Sequence, residues 1–242
     1  MTNPPIPALS AIPATSGAEG GGLLVALQVR RLRRLVAAVN AWHTGGAPSV
    51  WKRRAFEAMG WPVGGPWCAA WAGLIDLEAN GGPSVLYRKG YSVSCTRRCV
   101  WAHKGSGVDP KTGKVARPAL GPAYEPRAPE SVQPGDIITV GRRVAGGRWA
   151  RAGGSHCTIA VEVSRTGVWC IGGNQSGRNP AGGRVSASVA LTWYPFDAHA
   201  VGLTALRVQW VVSIPDAEYP PAAEVDGAAL RDALAIIRAA TK

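Results

Sequence analysis

One cysteine of this chain lies where a helix is predicted to begin. The Gly/Pro loop 64–66 interrupts the preceding structure, and the mostly apolar run 68–79 predicts a buried helix that ends at Asn80. Cys68 therefore falls in the first helical turn, where unpaired backbone N–H groups and the positive end of the helix dipole favour thiolate over thiol. The position predicts either a cysteine nucleophile or a buried structural cysteine.

A histidine and two amides are predicted to meet on a hairpin later in the chain. Residues 155–171 read as two strands around a tight turn, with His156 at the start of the first strand, and residues 185–191 and 203–213 read as two later strands that complete the sheet. A two-residue turn sets a register that places His156 opposite Asn174 or Gln175. A cysteine hydrolase needs a thiolate, an imidazole and a polar group that fixes the imidazole tautomer. We therefore expect His156 and Asn174 to complete the site of Cys68, with Gln175 substituting if the register shifts by one.

Four short blocks carry a family resemblance. They read Pro-Trp-Cys-Ala-Ala-Trp, Pro-Gly-Asp-Ile-Ile, Ser-His-Cys-Thr-Ile-Ala-Val and Ile-Gly-Gly-Asn-Gln-Ser, in that order along the chain. In this order, over roughly residues 58–213, the chain resembles the CHAP/NlpC-type cysteine hydrolases of the papain-like superfamily. It is most similar to the phage and bacterial branch with a Gly-Gly-Asn signature after the histidine strand.

The resemblance implies a fold, an activity and three site residues. The fold would be α+β, with the nucleophile helix packed on a small antiparallel sheet and flanking helices at both ends. The activity would be cleavage of an amide bond in peptidoglycan, with no cofactor. Cys68 would be the nucleophile, His156 the base and Asn174 the orienting residue. Many relatives carry Glu two residues before that Asn, where this chain has Gly172.

Composition narrows the class of partner. Lys+Arg 27 against Asp+Glu 15 gives a formal net charge of +12, which suits a polyanion such as nucleic acid, an anionic membrane or a cell wall. The chain has no zinc-finger spacing, recognition helix or RNA-binding signature, so no nucleic acid is expected and peptidoglycan is the expected partner. No apolar run is long enough to span a membrane. Among ten Trp, Trp67 and Trp71 flank the cysteine and are predicted to line the substrate groove, with core packing as the alternative.

Four regions are predicted along the chain. Residues 1–22 have the Pro/Ala/Ser/Gly composition of a disordered arm and no basic start, so no signal peptide is expected. Residues 23–57 form a basic helical region and residues 58–213 the hydrolase-like domain. Residues 214–242 form a Pro/acidic linker and an amphipathic helix over 227–241. A phage-type route, either in the virion or by lytic release, would then bring the protein to the wall.

The two flanking helices are the candidate docking elements. Four arginines crowd the helix over 23–43, which predicts a solvated basic face or, alternatively, a surface for membrane or wall. The apolar stripe of the helix over 227–241 either packs back on the domain or binds a partner. The alternative function is a structural component of a phage tail or baseplate that keeps a hydrolase-like fold and docks through these two helices.

The other cysteines leave several alternatives open. Cys95, Cys99 and His103 have a spacing that would place three soft ligands on one helix face, but no companion motif supplies a fourth, so no metal is predicted. A local disulfide between Cys95 and Cys99, or ordinary free thiols, are the other possibilities. The predicted hairpin register keeps Cys157 and Cys170 apart. Cys157, in mid-strand beside the histidine, is the weaker rival for the role of nucleophile.

Overall fold

The structure of this chain is a computed structural model. It describes residues 20–61, 63–81, 111–113, 119–142, 156–196, 206–212, 219 and 224–242. Cys95, Cys99 and His103 lie outside these ranges, as do residues 1–19 of the region predicted as an arm over 1–22, whereas residues 20–22 are helical. Within them, no three His, Cys, Asp or Glu side chains gather into a group that could hold a metal ion. None of the helices described there combines the length and apolar character that a membrane span requires.

Four α-helices lie within the described ranges, and local signals explain their ends. Pro48 occupies the first turn of α2, where its missing N–H costs nothing. Gly81 ends α3 in the left-handed conformation, with φ of 76°. The Asp226 carboxylate caps α4 by accepting hydrogen bonds from the backbone N–H groups of residues 228 and 229. The helices are α1 Gly20–Thr44, α2 Pro48–Ala58, α3 Cys68–Asn80 and α4 Gly227–Thr241.

Five strands of the described residues form an antiparallel sheet in the order β4-β3-β2-β1-β5. The predicted α+β class, with a small antiparallel sheet beside the cysteine helix, is confirmed. The strands predicted to follow the hairpin complete the sheet from opposite edges. The strands are β1 Ile137–Arg142, β2 His156–Val163, β3 Gly167–Arg178, β4 Arg184–Pro195 and β5 Leu206–Val211.

The hairpin between β2 and β3 is the tight turn that the sequence predicts. The backbone N–H of Ser164 donates to the carbonyl of Gly167 at 2.9 Å, and Val163 pairs with Val168. Two residues further, the register shifts between Ala160 and Glu162. This irregularity lowers the sum of paired residue numbers from 331 to 330, so by itself it would bring residue 174 opposite His156.

The sheet buries both of its faces, and one face supports the cysteine helix. On that face, apolar side chains of the sheet pack with those of α1 and α3 in one core cluster. Alternate residues of the same strands form a second cluster on the opposite face. The first cluster includes Leu35, Val39, Ile75, Ile137, Ile159, Ile171 and Leu191, and the second includes Ile138, Val140, Cys170, Tyr194 and Val208.

Two of the four arginines of α1 do not belong to the predicted solvated face. Arg30 and Arg34 are only 3% and 6% exposed. Arg34 Nε lies 3.4 Å from a carboxylate oxygen of Asp76 on α3, and the Tyr219 hydroxyl donates to the other oxygen at 2.8 Å. The Arg30 guanidinium stacks 4.6 Å above the Tyr219 ring. The two guanidinium groups are therefore buried because they interact with a buried carboxylate, or with the tyrosine bound to it, on neighbouring parts of the chain.

Helix α4 uses its apolar stripe within the same chain. Ala233 and Ile237 are buried in the core cluster that includes α1, and Leu230 and Leu234 pack against it. Of the two outcomes open for this helix, packing on the domain is the one observed. The buried part of the stripe is thus not available as an apolar docking surface for another protein.

Candidate active site

Cys68 is the first residue of α3 and is 5% exposed. The preceding residue, Trp67, provides no side-chain cap for the helix. Its carbonyl accepts the N–H of Trp71 at 2.9 Å, which starts the helical hydrogen-bond ladder at the cysteine. The earlier N–H groups of this turn have no carbonyl partner in the helix, and the helix dipole is positive at the same place. Both features favour negative charge on the Cys68 sulfur.

His156 is the first residue of β2, and its imidazole joins two other side chains. Its Nε2 lies 2.8 Å from Gln175 Oε1, and its ring also hydrogen-bonds to the Cys68 thiol. Because the amide oxygen occupies Nε2, Nδ1 is the ring nitrogen left to face the sulfur. The structure thus assembles cysteine, imidazole and amide into one connected set.

The surroundings of Gln175 determine which ring nitrogen carries the proton. Its amide Nε2 donates to the backbone carbonyl of Cys170 at 3.2 Å and makes a short hydrogen bond to the carbonyl of Ala190. These two acceptors orient the amide so that its oxygen, which can only accept, faces the imidazole. His156 Nε2 must therefore carry a proton. In the neutral ring Nδ1 is then free to take the proton from the thiol.

The structure places Gln175 rather than Asn174 at the imidazole. Asn174 has a φ of 58°, a left-handed conformation that Asn tolerates better than most residues. The β3–β4 pairing is irregular between Gly172 and Gln175, and a bulge of this kind re-aims the side chains that follow it. The assignment of the orienting role to Asn174 is thereby corrected to Gln175, the substitute predicted for a one-residue shift.

Two consecutive glycines allow this arrangement. A Cβ on Gly172 would lie 2.6 Å from Gln175 Oε1, so the glycine leaves the space that the amide occupies. A Cβ on Gly173 would lie 2.5 Å from the Trp67 ring and 2.7 Å from Trp71 Cβ, so this glycine lets β3 approach the start of α3. The departure from the family pattern at Gly172 therefore has a steric reason, because any side chain there would displace the amide.

The two tryptophans beside the cysteine belong to the core. Trp67 is 3% exposed and Trp71 is fully buried. Both pack against Gly173 and hold β3 close to the helix. The prediction that they line the substrate groove is wrong, because the close approach of strand and helix leaves their rings no open surface.

Pairing with Cys68 controls the charge of the imidazole. Burial alone would lower the pKa of His156. The negative charge of the Cys68 thiolate, the hydrogen bond to that thiolate and the hydrogen bond to Gln175 outweigh burial and raise the pKa above 6.5. The site thus favours an imidazolium beside a thiolate, the reactive form of a cysteine nucleophile.

The thiols of the remaining cysteines in the described part of the chain take no part in this set. Cys157 and Cys170 are free and buried. Cys157 follows His156 along β2, so strand alternation directs its side chain away from the imidazole. Cys170 contributes its carbonyl to Gln175, and burial raises the pKa of its thiol well above the usual range. Neither has the helix terminus and imidazole that Cys68 has.

Tyr194 belongs to the site, although sequence reasoning did not find it. Its hydroxyl lies 3.4 Å from Gln175 Oε1, and its ring centroid lies 6.4 Å from that of His156. The strand predicted over residues 185–191 ends at Leu191, whereas β4 continues to Pro195. The available signal was the continuing run of β-favouring residues Thr192, Trp193 and Tyr194.

In comparisons with known proteins, no family model matches this chain, and neither a curated protein nor a solved structure shows significant similarity to it. The function is therefore inferred from the site geometry and from the motifs quoted above.

Proposed function

We propose that this chain is a cysteine hydrolase of papain-like fold that cleaves an amide bond of peptidoglycan. The observation that carries the proposal is the connected set of Cys68, His156 and Gln175, with the cysteine on a helix N-terminus and the imidazole tautomer set by a buried amide. Each of the three elements of nucleophilic acyl transfer then has a named residue.

The proposed mechanism is an acyl transfer in two stages. The Cys68 thiolate attacks the amide carbonyl, while the backbone N–H of Cys68 at the helix start stabilises the oxyanion. The His156 imidazolium then protonates the leaving amine, and a thioester remains on Cys68. His156 next removes a proton from water, the resulting hydroxide equivalent attacks the thioester, and the free thiolate is regenerated beside the imidazolium. Gln175 holds the ring orientation throughout.

Two sequence features favour peptidoglycan as the substrate. The motif order resembles that of hydrolases that act on wall peptides, and the net charge of +12 suits a carboxylate- and phosphate-bearing wall. We place the reaction at the bacterial cell wall, reached by a phage-type route in the virion or after lytic release.

The alternative function, a structural tail or baseplate component, receives less support. It predicts docking through the helices over 23–43 and 227–241. Ala233 and Ile237 of α4 and Arg30 and Arg34 of α1 are instead buried within this chain. A scaffold protein also has no need for a buried amide that fixes a histidine tautomer.

The deciding experiment is digestion of peptidoglycan from several bacteria by the wild type and by Cys68→Ala, with fragments identified by mass spectrometry. Wild-type protein should release fragments with new amine and carboxyl termini, and Cys68→Ala should release none. A freed alanine amine next to the lactyl group would identify an amidase, and cleavage inside the stem peptide would identify an endopeptidase.

Cys157→Ala is the matched control, because it removes a buried thiol one residue from His156 without removing the proposed nucleophile. It should retain the wild-type products. Products that persist in Cys68→Ala but vanish in Cys157→Ala would refute the assignment. Folded wild-type protein that releases nothing from any wall would refute the proposed substrate.

A further inference from the structure

Tyr194 lies directly behind the pair formed by His156 and Gln175. Its side chain is 4% exposed and packs in the core cluster on its face of the sheet. A buried hydroxyl requires a hydrogen-bond partner. Its described acceptor is Gln175 Oε1, at 3.4 Å, and its ring is tilted by 42° against the imidazole.

The hydroxyl can act toward the amide oxygen only as a donor. Burial first, and then the nearby Cys170 and Cys68 groups, raise the pKa of Tyr194 far above its usual range, so the phenol keeps its proton. Gln175 Oε1 then accepts from both His156 and Tyr194, while its Nε2 donates to two carbonyls. Every hydrogen-bonding position of this amide is therefore used.

We propose that Tyr194 is a positioning residue that acts through Gln175. Its hydroxyl fixes the amide oxygen in the position where it accepts the hydrogen bond from His156 Nε2, and its ring keeps water away from that hydrogen bond. Loss of the hydroxyl would leave the reacting groups and the two carbonyl contacts of the amide in place, but it would remove one of the two donors to the amide oxygen, so the imidazole would be held less firmly. The kinetic part of this inference rests on the proposed hydrolase function, whereas the effect on the imidazole does not.

The test is Tyr194→Phe, which keeps the ring and removes the hydroxyl. Nitrogen-edited NMR of histidine-labelled protein would follow the Nε2–H proton of His156 and its exchange with water. We expect faster exchange in Tyr194→Phe than in wild type. On peptidoglycan we expect kcat to fall roughly three- to ten-fold with KM unchanged, the scale of one lost hydrogen bond.

Tyr219→Phe is the matched control, because it also removes one buried tyrosine hydroxyl, but that hydroxyl bonds to Asp76 rather than to Gln175. It should leave the His156 ring proton as in wild type. An unchanged ring proton in folded Tyr194→Phe would overturn the proposal, and so would an equal change in both variants. Since NMR needs no substrate, a protein that cleaves no wall would refute the proposed function and still leave this test decisive.

Discussion

His156 Nε2 lies 2.8 Å from Gln175 Oε1, and the residue before the glutamine, Asn174, adopts a left-handed backbone conformation. The two observations explain each other. The left-handed conformation of Asn174 and the irregular pairing beside it change the direction of the side chains that follow in β3. The next side chain, that of Gln175, therefore reaches the imidazole. Asn174 therefore contributes its backbone conformation, and Gln175 contributes the amide.

Substitutions at these two positions should consequently differ in their effects. Gln175→Ala removes the group that sets the His156 tautomer, and we expect kcat/KM to fall on the order of 100-fold. Asn174→Gly keeps the left-handed conformation without strain, and we expect a loss of less than about three-fold. Steady-state kinetics on the same wall fragments checks both values. A larger loss in Asn174→Gly than in Gln175→Ala would show that the asparagine side chain is the orienting group.

The glycine pair supports a prediction about stability. Gly173→Ala would press a methyl group against Trp67 and Trp71 at the start of α3, and we expect a loss of about 1–3 kcal/mol in the free energy of unfolding. Urea denaturation measures the change. Gly64→Ala is the matched control, because a Cβ at Gly64 meets no atom within 4 Å. Equal stability of the two variants would contradict the close approach of β3 and α3.

Gly172→Ala tests the position of the Gln175 amide, not the packing of β3 on α3. Its methyl group would take the place of Gln175 Oε1, so activity should fall together with stability. We expect the loss of kcat to approach that of Gln175→Ala, because both changes remove the amide from the imidazole. A folded Gly172→Ala protein with wild-type kcat would show that the amide can be accommodated elsewhere.

Local signals explain why much of this site could be predicted from the sequence. The helix of Cys68 follows from an apolar run bounded by glycines, and the hairpin of His156 follows from strand alternation around a two-residue turn. Such patterns depend on neighbours in the chain. They were sufficient to bring Cys68, His156 and the pair Asn174 and Gln175 together.

The parts that could not be predicted depend on contacts distant in sequence. The choice between Asn174 and Gln175 depends on strand irregularities that no turn motif announces. The inward position of Arg34 depends on Asp76 of another helix, which composition and periodicity do not show. The burial of Trp71 depends on Gly173, whose missing side chain lets β3 pack closely against the tryptophan. Each is a tertiary effect that overrides a reasonable local interpretation.

The coupling of cysteine and histidine can be measured without a substrate. In Cys68→Ala the imidazole loses the charge and hydrogen bond of the thiolate, so burial prevails and the pKa of His156 should fall below its wild-type value. Because the folded-state pKa lies above 6.5, protonation of His156 stabilises the folded state, and this contribution is fully present at pH values below 6.5. This contribution is lost as the pH rises through the raised pKa.

An NMR titration of the His156 ring checks this expectation in wild type and Cys68→Ala, with Cys157→Ala as the control. Only Cys68→Ala should lower the pKa of His156, and its deficit in melting temperature should narrow as the pH rises above the wild-type pKa. An equal imidazole pKa in all three proteins would refute the ion pair between Cys68 and His156.

The buried pair of Arg34 and Asp76 holds α1 against the cysteine helix, and its loss should depend on pH. Burial raises the pKa of Asp76, while Arg34, Tyr219 and Asn80 oppose that rise. Arg34→Met removes the ion-pair partner of a buried carboxylate, and we expect a loss of about 3–5 kcal/mol in the free energy of unfolding at pH 7. Without Arg34 the pKa of Asp76 rises further, so the folded variant gains stability as the pH falls towards the unfolded value near 3.8.

Urea unfolding at pH 7 and at about pH 5 measures this dependence. The deficit of Arg34→Met relative to wild type should shrink at the lower pH, because the folded variant takes up a proton at Asp76 that the unfolded chain binds only at lower pH. The double variant Arg34→Met/Asp76→Asn should recover part of the loss at pH 7, since it removes the buried carboxylate together with the guanidinium while the asparagine can still accept from Tyr219. A deficit that is the same at both pH values and in the double variant would show that the arginine stabilises α1 by packing alone.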